Sequence, residues 1–279
     1  MSLLSSILLG LIQGLAEFLP ISSSGHLAIA EHFLGQAGVP ATPDFFDVLL
    51  HLGTLVAVFA AYWQDIRDMI VELIDGIRDL VRGTTPNPIP PARRMILLII
   101  VGTLPLFEVL PVKDLVEGLS GNIYFVAGAL IVTGFLLFAS DRVKKGRKTE
   151  RSAKLLDVLL VGIAQAIATC PGISRSGTTI TAGCFVGFDR KFAVRFSFLL
   201  SIPAVLGANI LTLKDAIQEN SIIVSDIPVY LVGVAVAAVV GYICIRLLKM
   251  IADKGKFGWF AYYCWAVGLI VLALTLVLK

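Results

Sequence analysis

Two polar clusters interrupt the apolar stretches of this 279-residue chain, and they hold the residues whose types and spacing could do chemistry. The first runs from Gln13 through Glu17 to Ser22-Ser23-Ser24-Gly25-His26. It combines a carboxylate, hydroxyls and an imidazole that titrates near neutral pH, a set suited to acid–base or nucleophilic work. The second reads Pro171-Gly172-Ile173-Ser174-Arg175-Ser176-Gly177-Thr178. It supplies a planar guanidinium, the hydroxyls of Ser174, Ser176 and Thr178, and backbone N–H groups loosened by Gly172 and Gly177 at a helix start. Arginine forks match phosphate oxygens and helix N-termini attract anions, so the expected ligand is a phosphate or pyrophosphate group. A Glu17–Arg175 pair of purely structural purpose is the plainer alternative. Desolvation can exceed the attraction in such a pair, which makes stability alone a weak reason to keep it.

The clusters are copies of one another. Residues 9–26 align without a gap on residues 161–178, and seven of the eighteen positions are identical: Gly10/Gly162, Gln13/Gln165, Ala16/Ala168, Ile21/Ile173, Ser22/Ser174, Ser24/Ser176 and Gly25/Gly177. Each copy is an apolar run of helical length that breaks at proline, glycine and hydroxyls. Two half-helices that meet and expose backbone groups to a ligand produce this pattern.

The elements that must position these clusters are membrane helices. With 57% hydrophobic and 15% charged residues and a mean hydropathy of +0.89, the chain lies far from the soluble norm of about a quarter charged. An all-α polytopic membrane protein is expected, with membrane lipids around it and no nucleic-acid partner. The first apolar run leads into Gln13 and Glu17 instead of a small-residue cleavage site, so the N-terminus is expected to be retained. The four cysteines lack metal or redox spacing and read as packing residues.

Residues 1–35 and 155–188 each hold two runs of about half a bilayer, which predicts two re-entrant helix-loop-helix hairpins. Six spans are predicted at about 45–63, 93–111, 122–140, 192–212, 228–248 and 259–278. The first is entered through Pro40 and Pro43 and ends at an interfacial pair, Tyr62 and Trp63; residues 65–82 read as an amphipathic surface helix. Lys113, Asp114 and Glu117 fall in a short loop after the second span. The division is a first repeat at 1–140, a basic linker at 141–154 and a second repeat at 155–279, together one membrane domain. If the first hairpin enters from outside, 19 of the 23 Lys and Arg residues fall on cytoplasmic segments, against Lys113, Lys214 and Lys279 outside. An odd number of crossings per half then makes the duplication an inverted-topology repeat with both termini outside and the hairpin tips near the midplane.

The motif Gln13-x-x-x-Glu17-Phe18-Leu19-Pro20-Ile21-Ser22-Ser23-x-Gly25-His26, with its partner Pro171-Gly172-x-Ser174-Arg175-Ser176-Gly177-x-Thr178, resembles the bacitracin-resistance type of undecaprenyl-diphosphate phosphatase. The span pattern matches along essentially the whole chain. The resemblance implies a multi-pass enzyme of the plasma membrane that hydrolyses the terminal phosphate of a C55 polyprenyl diphosphate, recycling the carrier for cell-wall glycan synthesis. It also implies a site opening to the outer face and a divalent cation, Mg²⁺ or Ca²⁺. By the same resemblance Glu17 holds the cation or positions water with Gln13 in support, and His26 is acid–base or nucleophile, with Ser23 the alternative nucleophile. Arg175, Ser174, Ser176 and Thr178 clamp the diphosphate, with Ser22, Gly172 and Gly177 lining it. Family members with Glu at the first motif position have two carboxylates for a cation; Gln13 here is a weaker ligand.

His51, four residues after Asp47, is a further candidate, and the match of Phe46-x-x-Leu49-Leu50 with Phe196-x-x-Leu199-Leu200 places Ser197 and Ser201 at the corresponding positions. His32 reads as interfacial, and Gly233 and Gly241 as close helix packing. The competing function is a transporter of polyprenyl phosphate lipids, since inverted repeats with broken helices are the plan of many transporters. Glu17, Ser23 and His26 in one hairpin favour hydrolysis, and a homodimer stays open. For topology, single-cysteine labelling of intact cells is expected to reach a site engineered beside Lys214 and to miss one beside Lys148. Labelling at Lys148 by an impermeant reagent would reverse the layout.

Overall fold

The computed structural model describes residues 1–36, 43–84, 86–218, 224–254 and 256–277, and among these it is helical throughout. Pro40 and Lys279 lie outside the described residues. The order is α1 (Leu3–Phe18), α2 (Ser23–Gln36), α3 (Asp44–Ala61), α4 (Trp63–Arg82), α5 (Pro91–Thr103), α6 (Lys113–Gly118), α7 (Ile123–Ser140), α8 (Leu155–Ile167), α9 (Arg175–Phe185), α10 (Arg190–Gln218), α11 (Ile227–Lys254) and α12 (Gly258–Val277). Among the described residues five helical stretches are long and apolar enough to cross a membrane, and a sixth if α3 and α4, bent by 83° at their junction, count as one. The helices α1 and α8 are shorter apolar pieces. Such an assembly of apolar helices fits a multi-pass membrane protein.

Packing follows the duplication. α1 lies along α11, and its copy α8 lies along α5; α3 meets α10, and α7 meets α12. Small residues allow the closest approaches: a Cβ on Gly14 would sit 2.8 Å from the Ala237 carbonyl oxygen, so α1 and α11 touch backbone to backbone there. Gly10 meets Gly233 in the same seam, and its copy Gly162 meets Gly102 of α5. Gly233 and Gly241 are packing residues, as expected, facing Ser6 and Phe18.

Three expectations need correction. The second span does not close into a loop near Pro111: a 3₁₀ helix continues over Leu104–Val112 and α6 follows, so Lys113, Asp114 and Glu117 are helical. Pro105 and Pro111 lack the N–H that an α-helical ladder requires, which favours the tighter form, and Lys113 Nζ is held by Asp215 at 2.9 Å. Tyr62 does not face outward as one ring of an exposed interfacial pair would. It is buried at the α3–α4 bend under the Lys249 ammonium, 3.6 Å from the ring centroid, while Lys249 donates to the Ala61 carbonyl at 2.9 Å; Trp63 alone is exposed. The 141–154 segment is more than a linker. Asp141 accepts from the Phe257 and Gly258 amides at the start of α12, Lys148 pairs with Asp157 at 2.8 Å, and Arg94 donates to the Glu150 and Ala153 carbonyls.

The amphipathic α4 is tied to α5 by Arg93, which reaches Glu72 Oε2 at 3.1 Å and Asp79 Oδ2 at 2.8 Å. The hydrogen bond from Arg93 holds the Asp79 carboxyl below its ordinary value. A depressed folded-state pKa adds stability above the unfolded value of about 3.9 and loses it as pH falls through the lower folded value. Protection of the α4 amides, taken relative to intrinsic exchange at each pH, should therefore be high at pH 7 and fall below about pH 4, whereas Arg93→Gln should show low protection already at pH 7. High protection in both proteins at both pH values would show that the clamp does not hold α4. Gly14→Val should lower stability in detergent by about 1–3 kcal/mol or more by prising α1 from α11, read as a lower melting midpoint; an unchanged midpoint would contradict the backbone contact.

Candidate functional site

The two hairpin tips meet. A Cβ on Gly25 would lie 3.0 Å from the Gly172 Cα, and the Gly172 amide donates to Ser24 Oγ at 3.4 Å. Gly172 itself stands at φ +89° against the Val126 carbonyl, a conformation and a space that only glycine fits. Thr133 of α7 stitches the second tip in place: its hydroxyl donates to the Gly172 carbonyl at 3.2 Å and accepts from the Ser174 amide at 3.0 Å.

Each tip ends in a capped helix. Ser174 Oγ accepts from the Gly177 amide at 3.1 Å at the start of α9, and Ser22 Oγ accepts from the Gly25 amide at 3.2 Å at the start of α2. Ser22 takes φ +72°, the one positive φ outside glycine among the described residues, so the chain turns sharply there. The next hydroxyls close the same turn, Ser22 with Ser24 at 3.4 Å and Ser174 with Ser176 at 3.3 Å. Ser22, Ser174, Ser176, Gly172 and Gly177, expected to line the diphosphate, thus build the turns at the two tips. Thr178 Oγ1 is buried without a partner and stays open to a ligand.

The position after each cap carries a side chain that reaches Glu17. Ser23 opens α2, Arg175 opens α9, and both converge on Glu17 at the end of α1. Ser23 Oγ donates to Glu17 Oε2 at 2.6 Å, Gln13 Nε2 donates to the same oxygen at 3.2 Å, and the Arg175 guanidinium takes Glu17 Oε1. Glu17 is buried, and Arg175 keeps about a quarter of its side chain exposed. A carboxylate beside a serine hydroxyl is a ready proton acceptor, and an arginine next to it is a ready anion clamp.

The structure does not join His26 to Ser23 or Glu17. Its Nδ1 lies 2.8 Å from the Ser22 carbonyl oxygen and its Nε2 2.9 Å from the Tyr263 hydroxyl of α12. His26 follows Ser23 by three residues on α2, so the two share a helix face. His51 of α3 donates from Nδ1 to the Asp47 carbonyl at 2.8 Å. His32 sits at the exposed end of α2 beside Gln36, in keeping with an interfacial position. Ser197 bonds Thr179 Oγ1 at 2.6 Å, and Ser201 is spent on the Phe198 carbonyl. Thr133, Thr179 and Tyr263 were not found from sequence. The available signal was polarity inside otherwise apolar spans, which is shared by many packing residues.

For a cation, Glu17 has both oxygens engaged, and no cluster of three or more His, Cys, Asp or Glu able to hold a metal occurs among the described residues. Gln13 Oε1, however, is buried without a partner and faces no competing donor. Glu17 and that amide oxygen fit a cation that arrives with most of its oxygen ligands already on a diphosphate, as Mg²⁺ commonly does.

The family profile described as "Bacitracin resistance protein BacA" matches residues 6–270. Curated relatives called "Undecaprenyl-diphosphatase" align over nearly their full length. One from Methanosphaera stadtmanae is 40% identical, with 100% of both chains covered. Another from Alkaliphilus metalliredigens is 40% identical, covering 99% of this chain and 100% of the relative, and one from Halothermothrix orenii is 38% identical with 99% of each covered.

Proposed function

The chain belongs to the bacitracin resistance protein BacA family, and we infer from that premise and the site geometry how it hydrolyses a lipid diphosphate. It is an integral membrane phosphatase acting on undecaprenyl diphosphate, and roles in cell-wall synthesis and bacitracin resistance fit its family.

The observation that carries the mechanism is the Glu17 carboxylate shared by Ser23 of its own hairpin and Arg175 of the other. Ser23 Oγ is the nucleophile. Glu17 accepts its proton as the Oγ–phosphorus bond forms and the anhydride bond breaks, and polyprenyl monophosphate departs with the electron pair. Water then attacks the phosphoserine, giving a proton to His26 on the same helix face; the Oγ–phosphorus bond breaks, the protonated Glu17 returns its proton to Ser23 Oγ, and phosphate is released. Arg175 turns from Glu17 onto the terminal phosphate, where a bidentate fork and the start of α9 neutralise charge. A divalent cation, Mg²⁺ or Ca²⁺, bound with the diphosphate at Glu17 and Gln13 Oε1 would add further neutralisation of phosphate charge.

The setting we propose is the plasma membrane, with six crossings, two re-entrant hairpins at 1–35 and 155–188, inverted repeats, both termini outside and the site open to the outer face. The exchange of partners between halves, α1 on α11 and α8 on α5, supports the repeat. The distribution of basic residues supports the orientation.

The test is phosphate release by purified protein from undecaprenyl diphosphate, with and without chelator. Glu17→Gln and Ser23→Ala should each lower turnover by at least about 10²-fold, and Arg175→Lys, which keeps charge but loses the fork, by about 10³-fold or more. A Ser23→Ala enzyme near the wild-type rate, beside a dead His26→Gln, would move the nucleophile away from Ser23.

A further inference from the structure

Tyr263 belongs to no motif, yet it is the side chain that His26 touches. The ring planes of the two residues lie within 9° of parallel with centroids 5.6 Å apart, and the phenol oxygen stands 2.9 Å from Nε2. On the other side of the imidazole, Nδ1 faces the Ser22 carbonyl oxygen, which can only accept. The neutral ring therefore carries its proton on Nδ1 and its lone pair on Nε2, and the Tyr263 hydroxyl donates to that lone pair. The tyrosine is itself held in register. Its neighbour Cys264 is fully buried against the first hairpin, with Sγ 3.9 Å from the Pro20 carbonyl, and Ala261 packs in the same cluster with Ala16 and Ile21.

We propose that Tyr263 is a positioning residue of the hydrolytic site: reaching across from the last helix of the second repeat, its hydroxyl fixes the plane of the His26 ring by donating to Nε2 in the resting protein, a hydrogen bond that opens when Nε2 takes a proton from water. The inference rests on a chemical role for His26. Two anchors define the ring. The Ser22 carbonyl sets the tautomer and belongs to the hairpin's own turn, whereas Tyr263 ties the working nitrogen to the opposite half of the molecule. An imidazole free on that side would sample rotations that carry Nε2 off the face shared with Ser23.

Tyr263→Phe keeps the ring and its packing and removes only the hydroxyl. In the full chain, with undecaprenyl diphosphate as substrate, kcat should fall about tenfold, as expected for losing one neutral hydrogen bond, while KM stays within about twofold. In protein labelled with ¹⁵N in its three histidines, the His26 Nε2 resonance should shift in Tyr263→Phe while those of His32 and His51 stay put. Tyr262→Phe, on the neighbouring exposed ring, should change neither readout. Wild-type kcat together with an unshifted His26 resonance in Tyr263→Phe overturns the proposal even if His26→Gln is inactive. Full activity in His26→Gln would overturn the chemical role of His26 itself, and the inference with it.

Discussion

A buried carboxylate facing a guanidinium from the other half of the chain is the interaction on which the rest of this structure depends. An ionisable group at membrane depth costs about 3 kcal/mol on insertion scales, and a buried charge stripped of its partner costs about 3–5 kcal/mol. Glu17 and Arg175 therefore need each other in the resting protein, and that need fixes where both hairpins end. The Gly25–Gly172 contact, the Thr133 stitch and the glycine seam between α1 and α11 bring the two tips close enough for the pair to form. The same pair explains how an arginine can wait for a phosphate without an empty charge beside it. In the proposed mechanism an incoming anion replaces one carboxylate oxygen with phosphate oxygens, and Glu17 becomes free to act on Ser23 as Arg175 leaves it.

Much of this was legible in the chain because the duplication separates scaffold from chemistry. Most positions identical in both copies shape the tips and seams, Gln13 beside Glu17 being the exception: Ser22 and Ser174 cap, Gly25 and Gly177 receive the caps, Gly10 and Gly162 pack on Gly233 and Gly102. The positions that differ, Ser23 against Arg175, carry different functional groups to one carboxylate. The sequence reading assigns Ser22, Ser174 and Ser176 to the diphosphate and does not reveal their part in the turns, because a serine that caps a helix and a serine that meets a substrate have the same side chain.

What escaped the sequence are contacts made at long range. Nothing near Tyr263 in the chain announces a partner 237 residues away, and Thr133 looks like any threonine in an apolar span until the second tip arrives beside it. The 3₁₀ continuation after Thr103 was hidden for a different reason: two prolines and three charges read locally as the end of a helix, and only the Lys113–Asp215 contact with α10 shows what those charges are for.

The 83° bend between α3 and α4 has a consequence for the substrate. Lys249 closes the bend by satisfying the Ala61 carbonyl, so α3 hangs from α4 at a set angle, and in the proposed setting the amphipathic α4 lies in the interface and acts as a float. His51 comes about ten residues before that bend, which at 1.5 Å per residue is about 15 Å along α3, or half the hydrocarbon thickness, the level at which the proposed setting places the hairpin tips. A diphosphate resting among lipid headgroups cannot react at that level. In the proposed setting the diphosphate has to reach Glu17 while its prenyl chain stays in oil, so the distance from surface to carboxylate becomes a ruler that favours a long, pliant lipid tail over a short soluble pyrophosphate.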